Sequence, residues 1–430
     1  MHPAPSLVLL CLACLAMPAR GQEMTGMDRQ RAHLMLRAVE HDLRDSYYDT
    51  TFHGLDLRTL FDSADARIAA AQSNGAAFLA IAVTLAALRD SHTRFYPPGR
   101  RDVVRYGWNL GVVGDDCYIL RVDPESDAAA RGVKPGDRLV AIDQFAVNRG
   151  DRSDLLYLYY ALVPRATVRL TLQSPGDTLR SVAVQSKVTP HPQIMDLTHG
   201  DDFWQLIREE QNVQRAERSR FWEFGQAVLV WKFPTFMVGD RDVDQAVRRA
   251  RGFKALVIDL RENPGGLVST LLRLAGALVG ADTFGVRRER AKTEPLHTRT
   301  GGPPFTGSVV AVVDAQSASA AEVLAYLLQL RKRGTVVGDR SEGAVMESKG
   351  HGHRVGVDVV VPYYTSVTQA DLVFADGTRL EGRGVIPDEI VLPSGADLAR
   401  HRDPALARAI TLAGRAITPE DAGLLFPLEE

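Results

Sequence analysis

The apolar positions follow three successive patterns along the chain. From Met27 to Phe95 they recur every three or four residues: Leu34, Leu36, Val39 and Leu43 make one helical stripe, and stretches 57–73 and 76–90 repeat it. This predicts helices joined by short loops, a small helical bundle over 22–100. Pro97, Pro98 and Gly99 close it, since helices rarely cross such a run. Over 103–187 the pattern shortens to β-like runs at 106–113, 117–122, 137–142, 167–172 and 181–185, with one helical stretch at 153–163. From about 220, apolar β runs at 227–233, 255–260, 308–314 and 335–339 alternate with helical stretches at 267–280 and 321–333. Further β runs follow at 353–364 and 371–380, and a closing helix at 403–414. Strands alternating with helices predict a layered α/β sheet. Residues 189–219 are polar and read as linker or irregular structure, and the charge run 287–292 as a solvated loop. The chain is therefore expected to be a multidomain α/β protein, with a helical domain (22–100), a β-rich domain (101–188) and an α/β core (189–430).

The first 21 residues read as an export signal. Leu7 to Met17 is an apolar run of 11 residues, right for a signal core and too short to span a bilayer. Ala19 and Gly21 put small residues where a signal peptidase reads, so cleavage is expected before Gln22. His2 stands where a Lys or Arg is usual. Cys11 and Cys14 lie inside this segment, which leaves Cys117 without an intrachain disulfide partner. A lipoprotein reading through Cys14 fits less well, because Cys11-Leu12-Ala13 makes a poor lipidation box. The charge is nearly balanced, 51 Lys+Arg against 53 Asp+Glu, which argues against a nucleic-acid partner. No apolar run is long enough for a transmembrane helix.

Within 101–188 the order of elements resembles a PDZ domain. Tyr106-Gly107-Trp108-Asn109-Leu110-Gly111 and Ala130-Arg131-Gly132-Val133-Lys134-Pro135-Gly136-Asp137-Arg138-Leu139 carry the likeness, although the first departs from the usual Gly-Leu-Gly-Phe form. The likeness implies that Gly107, Trp108, Asn109, Leu110 and Gly111 form a loop whose N–H groups meet the carboxylate of a peptide terminus, beside a strand edge that takes its chain.

Four segments carry reactive chemistry. In Asp314-Ala315-Gln316-Ser317-Ala318-Ser319-Ala320-Ala321-Glu322, Ser319 sits where a strand gives way to a helix. The free N–H groups and positive dipole end of a helix start favour an alkoxide or oxyanion there, although many such serines are plain N-caps. Arg261-Glu262-Asn263-Pro264-Gly265-Gly266 also follows a strand, and its glycines let N–H groups approach a ligand. Leu88-Arg89-Asp90-Ser91-His92-Thr93-Arg94-Phe95 offers an imidazole, the usual base for a serine. Leu380-Glu381-Gly382-Arg383-Gly384-Val385-Ile386-Pro387-Asp388 offers a carboxylate to orient it.

Together these segments resemble the C-terminal processing peptidase family, in the branch of tricorn protease and the interphotoreceptor retinoid-binding modules. The likeness runs from about 27 to 415. It implies a crotonase- or Clp-protease-like core of β-β-α units, an N-terminal helical domain and an inserted PDZ domain. By position, Ser319 matches the family nucleophile. Where the larger branch carries Lys in Thr-Phe-Gly-Lys-Gly, this chain has Ala344, so a Ser–Lys dyad lacks its base unless Lys349 serves. The tricorn-like branch uses Ser, His, Ser and Glu, matched here by Ser319, His92, Ser91 and Glu381. The likeness thus implies a serine peptidase that forms an acyl-enzyme on Ser319. The oxyanion would be met by N–H groups of Gly265 or Gly266 and of Ala320. No cofactor is expected, and His351 with His353 makes only a weak metal pair. Expected partners are peptide or protein substrates, possible at their C-termini, and the expected compartment is a bacterial periplasm. Oligomeric state is left open. The rival readings are a catalytically silent ligand- or peptide-binding relative of the same fold and, less well matched, a crotonase-type lyase.

Overall fold

The structure is a computed structural model that describes residues 24–99, 102–190, 218–356 and 360–426. The signal segment and most of 189–219 lie outside the described residues. Three helices open it: α1 (Gly26–Ser46), α2 (Leu57–Ala70) and α3 (Asn74–Ala86). Each starts on a side-chain cap: Thr25 accepts from Asp28 N–H, Asp56 from Arg58 N–H and Ser73 from Ala76 N–H. The buried stripe Ala32, Met35, Leu36, Val39 and Leu43 of α1 packs on Phe61, Ile68, Ile81 and Leu85. The same core takes in Phe95, Val355, Tyr363 and Val367. The helices are thus bonded by shared apolar surface to strands far along the chain, a linkage their local periodicity does not reveal.

Strand β1 (Arg94–Tyr96) follows at once, then β2 (Asp102–Arg105), β3 (Trp108–Val113) and β4 (Asp116–Val122). Next come α4 (Asp127–Ala130), β5 (Arg138–Ile142), β6 (Phe145–Ala146), α5 (Arg152–Leu156), which runs on as a π-turn to Leu162, β7 (Thr167–Gln173), β8 (Leu179–Gln185) and β9 (Lys187–Pro190). An antiparallel sheet runs in the order β3-β4-β5-β7-β8, with β6 on β5, and β2 pairs β9 apart from it. Trp108 to Gly111 form strand rather than loop, which corrects the expected carboxylate-binding loop. Trp108 and Leu110 turn into the core, and the Gly107 carbonyl is taken by Asp123 N–H at 2.9 Å and Ser126 Oγ at 3.3 Å. Gly107 itself is required, because at φ 75° a Cβ would lie 2.2 Å from Ser126 Cβ.

The remaining elements are β10 (Arg220–Phe224), β11 (Val228–Lys232), α6 (Asp240–Ala250), β12 (Ala255–Asp259), α7 (Val268–Val279), β13 (Thr283–Glu289), β14 (Thr293–His297), β15 (Ser308–Val313), α8 (Ala320–Leu330), β16 (Thr335–Gly338), β17 (Glu347–Val355), β18 (Val361–Phe374), β19 (Glu389–Ile390), α9 (Gly395–Ala399), α10 (Pro404–Leu412) and α11 (Pro419–Gly423). The central sheet has the order β10-β11-β12-β15-β16-β19 and is parallel except at β10. Its strands β11, β12 and β15 are buried on both faces, as a parallel sheet layered by helices requires. Leu229, Trp231, Leu256, Ile258 and Val313 meet α6, α7 and α8, whereas Val230, Val257, Val310 and Val312 meet α10 and α11.

A second sheet is built on the long strand β18, with β17 along one side and β1 and β13 along the other, and β14 beyond β13. Two expectations change here. The run read as one strand over 353–364 is the end of β17 and the start of β18. The charge run at 287–292 is not a free loop: Arg287 and Arg288 lie in β13, paired to Leu372 and Asp371. Alternation in a strand leaves Arg287 half-buried on the face that lines a pocket and Arg288 exposed, and a charge count cannot see this.

Candidate active site

The turn after β15 is tied before it reaches Ser319. Asp314 Oδ1 accepts from Gln316 N–H, Ser317 Oγ and Glu262 N–H at 3.0, 3.1 and 3.0 Å. Ser319 then adopts φ 54°, ψ −119°, strain of about 1–3 kcal/mol for a residue with a side chain. Its N–H donates to Ala344 O at 2.8 Å and to Glu322 Oε2 at 3.1 Å. Its hydroxyl makes no cap bond to the helix it precedes, which sets it apart from an ordinary N-cap serine. The strained turn leaves Oγ available at the mouth of α8.

Glu322 explains how that turn is held. It is fully buried, and besides Ser319 N–H it accepts Ser341 Oγ at 2.5 Å, Gly343 N–H at 2.7 Å and Ala344 N–H at 2.9 Å. Ser341 Oγ in turn accepts Val385 N–H at 2.6 Å. Burial pushes the Glu322 carboxyl up to about 7, and the four donors work against that rise. Sequence reasoning used Glu322 only as a landmark and passed over Ser341. The Ser-x-x-Glu spacing across a helix start was the available signal. Ala344, at the position of the family lysine, is buried, and its N–H and C=O both serve this clamp.

Asn263 governs the glycine turn beside it. It is fully buried; its Nδ2 donates to Phe233 O at 2.7 Å, its Oδ1 accepts Gly265 N–H at 2.8 Å, and its carbonyl accepts Ala318 N–H at 2.9 Å. Gly265 N–H is therefore already engaged. Among the described residues no partner takes the N–H groups of Gly266 or Ala320. A Cβ on Gly265 would sit 2.6 Å from Ser319 Cβ, and one on Gly266 2.5 Å from the Phe236 backbone. Both glycines are thus demanded by close approach. Arg261 anchors the turn from behind, bonded to Asp259 and, at 3.0 and 2.7 Å, to Asp403 ahead of α10.

The imidazole comes from the segment between α3 and β1. Asp90 Oδ1 accepts His92 N–H, Thr93 N–H and Thr368 Oγ1 at 3.1, 2.6 and 2.6 Å, and Asp90 Oδ2 accepts Tyr47 OH at 2.9 Å. This fastens the turn to β18. Ser91 Oγ lies 2.6 Å from His92 Nδ1 and donates to Glu381 Oε2 at 3.1 Å. Glu381 also accepts Ser91 N–H at 2.8 Å and Val345 N–H at 2.9 Å. Burial holds the His92 imidazole below its ordinary value, while Glu381 and Asp90 pull it upward.

His92 and Ser319 both line one pocket of about 270 Å³, together with Gly266 and Ala320. No hydrogen bond joins the two side chains directly. The pocket is also lined by Leu271, Phe284, Leu296, Val323 and Leu372, and by Arg287 and Glu347. Lys349 is exposed on β17 and does not line it. His351 and His353 both face buried Asp42 of α1, at 3.5 and 2.6 Å. Cys117 is buried in the middle sheet, its thiol pushed up to about 12 by that burial.

Comparison with known proteins assigns the class. Residues 227–391 match Peptidase family S41. The carboxyl-terminal-processing protease of Synechocystis sp. is 26% identical over 348 residues, which cover 76% of this chain and 74% of that one. Tricorn protease homolog 2 of Streptomyces coelicolor is 32% identical over 176 residues, 40% of this chain but only 14% of that protein. Among solved structures, mature CPAF gives a TM-score of 0.66 at 15% identity, covering 91% of this chain and 100% of CPAF, a likeness of fold. Residues 227–391 are thus similar to a family S41 peptidase domain, the likeness that the motifs implied. The protein is a serine-type peptidase, a hydrolase whose relatives are carboxyl-terminal-processing and tricorn-like proteases of bacteria and chloroplasts. Among the described residues no helix is long and apolar enough to cross a membrane.

Proposed function

We propose that this chain is an exported processing peptidase that cleaves through an acyl-enzyme on Ser319, with His92 as base and Ser91 and Glu381 as its supports. One observation carries the reading: Ser91 Oγ links His92 Nδ1 to Glu381, and His92 lines the same pocket as the unbonded Ser319 hydroxyl. With Nδ1 engaged, Nε2 is the nitrogen that takes the Ser319 proton as Oγ attacks the scissile carbonyl carbon. The N–H groups of Gly266 and Ala320 meet the oxyanion, with Gly265 supporting the turn through Asn263. His92 then protonates the leaving amine, water attacks the acyl group with His92 again as base, and Ser319 is restored. Glu381 steadies the imidazolium through Ser91.

The middle unit, residues 101–188, serves in this reading as a PDZ-like domain between the helical domain (22–100) and the core (189–430). Its edge strand β3 lies beside α5, and an extended peptide C-terminus would pair along β3 with its carboxylate toward Gly107. Export to a periplasm follows from the apolar leader. The deciding experiment is digestion of a peptide library by the purified protein and by Ser319→Ala, paired with fluorophosphonate labelling. Cleavage and labelling that both vanish in the variant support the proposal. Cleavage that survives in Ser319→Ala moves the nucleophile elsewhere. A wild type that neither cleaves nor labels is a silent binding relative.

A further inference from the structure

Among the residues that line the Ser319 pocket is an ion pair that takes no part in the chemistry above. Arg287 Nε donates to Glu347 Oε2 at 2.6 Å and Nη2 to Glu347 Oε1 at 2.9 Å. Such a two-point fork fixes both planes and neutralises both groups. Gln369 Nε2 donates to Glu347 Oε1 at 3.1 Å, and Arg287 also reaches Glu289 and, at 3.6 Å, Glu294. Asp371 lines the same pocket, 3% exposed, with Arg379 at 3.0 Å. The other walls include aliphatic and aromatic side chains: Leu271, Phe284, Leu296, Val323 and Leu372.

We infer that this pocket receives the side chain on the acyl side of the scissile bond and that the Arg287–Glu347 pair makes it select a long, neutral, apolar residue such as Leu or Met. The inference rests on Ser319 being the nucleophile and adds the substrate class. Three features carry it. The pocket adjoins the Gly266 and Ala320 N–H groups, so a carbonyl placed there points its own side chain inward. Its volume of about 270 Å³ suits a long side chain and leaves an alanine poorly packed. Its charged lining is already ion-paired: a cationic tip meets Arg287, an anionic tip meets Glu347 and Asp371, and either must shed its water against pairs that are already formed. Arg287 is thus a specificity-determining residue. Without it, Glu347 keeps only Gln369 among the described residues and, with Asp371 also on the lining, becomes an acceptor for Lys or Arg.

The test is a set of matched peptides that differ only at the acyl-side residue: Leu, Met, Ala, Lys and Asp. The wild type is expected to favour Leu and Met over Ala by ~30-fold or more in kcat/KM, since one methylene in such a pocket is worth roughly 10–200-fold. Lys and Asp should fall at least as low. In Arg287→Met the Lys-to-Leu ratio should rise ~10-fold or more, and in Glu347→Gln the Asp-to-Leu ratio should rise instead. A wild type that cleaves after Ala or Lys as readily as after Leu overturns the assignment. So do variants that lower every peptide by the same factor while their thermal transitions match the wild type. Because the ratios are internal, a partly unfolded preparation still reports them. Absence of any Ser319-dependent cleavage across the set overturns the nucleophile reading itself, a separate outcome.

Discussion

The turn that carries Ser319 and the turn that carries His92 reach one pocket by opposite means. The first is held by two buried side chains that bond mostly to main chain: Glu322, with four donors around a strained residue, and Asn263, stitching two loops together. All of it lies between β12 and β18, within the α/β core. The second is held by side chains, and its key partner, Glu381, lies 290 residues away in sequence. A locally encoded hydroxyl is therefore met by an imidazole whose place depends on long-range docking. Damage to the first should unfold as well as inactivate, and damage to the second should inactivate alone.

The largest effect should come from Ser319→Ala, with kcat falling ~10⁴-fold or more and fluorophosphonate labelling lost. Next, Glu322→Ala strands the Ser341 hydroxyl and the N–H groups of Gly343 and Ala344, while Ser319 N–H keeps Ala344 O. At ~1–3 kcal/mol for each buried orphan it should lower the denaturant midpoint clearly and cut turnover ~100-fold or more. Glu381→Ala should cost turnover while shifting stability by less than about 1 kcal/mol, because its partners can rebond to water. Equal stability losses in the two glutamate variants would erase the contrast. Asn263→Ala should lower kcat ~100-fold with little change in KM, by letting the Gly266 donor drift from the oxyanion. A change confined to KM would deny it that part.

The smallest effect concerns pH. His92 works as a base only when neutral, and burial lowers its titration, so the acid limb of kcat/KM should centre below the ordinary histidine value of about 6.5. Asp90 raises that titration. Asp90→Asn should therefore move the limb to still lower pH, in addition to any loss at the plateau. A limb that stays put would make Asp90 purely a tether.

Much of this was legible in the chain. The stripe of α1 and the apolar runs of β11, β12 and β15 have the period their burial demands, so element types followed from local pattern. Ser91, His92, Ser319 and Glu381 stood out because their chemistry sits at strand ends and turns. What escaped was long-range or sided. Trp108 to Gly111 resembled a binding loop until their pairing with β4 showed a strand. Arg287 hid in a charge run because only β18 decides which way it faces. Glu322 passed as a mere landmark because its burial, which makes it the clamp, is not written in its spacing. Gly265 could not be told from Gly266 until Asn263 was seen to occupy one N–H and spare the other.

The order of these parts along the chain has a consequence for biogenesis. A polypeptide threaded N-terminus first through an export channel delivers its imidazole early, its hydroxyl much later and its orienting glutamate last. In the proposed reading, until residue 381 has emerged and settled against Ser91, the growing protein holds a base without its support.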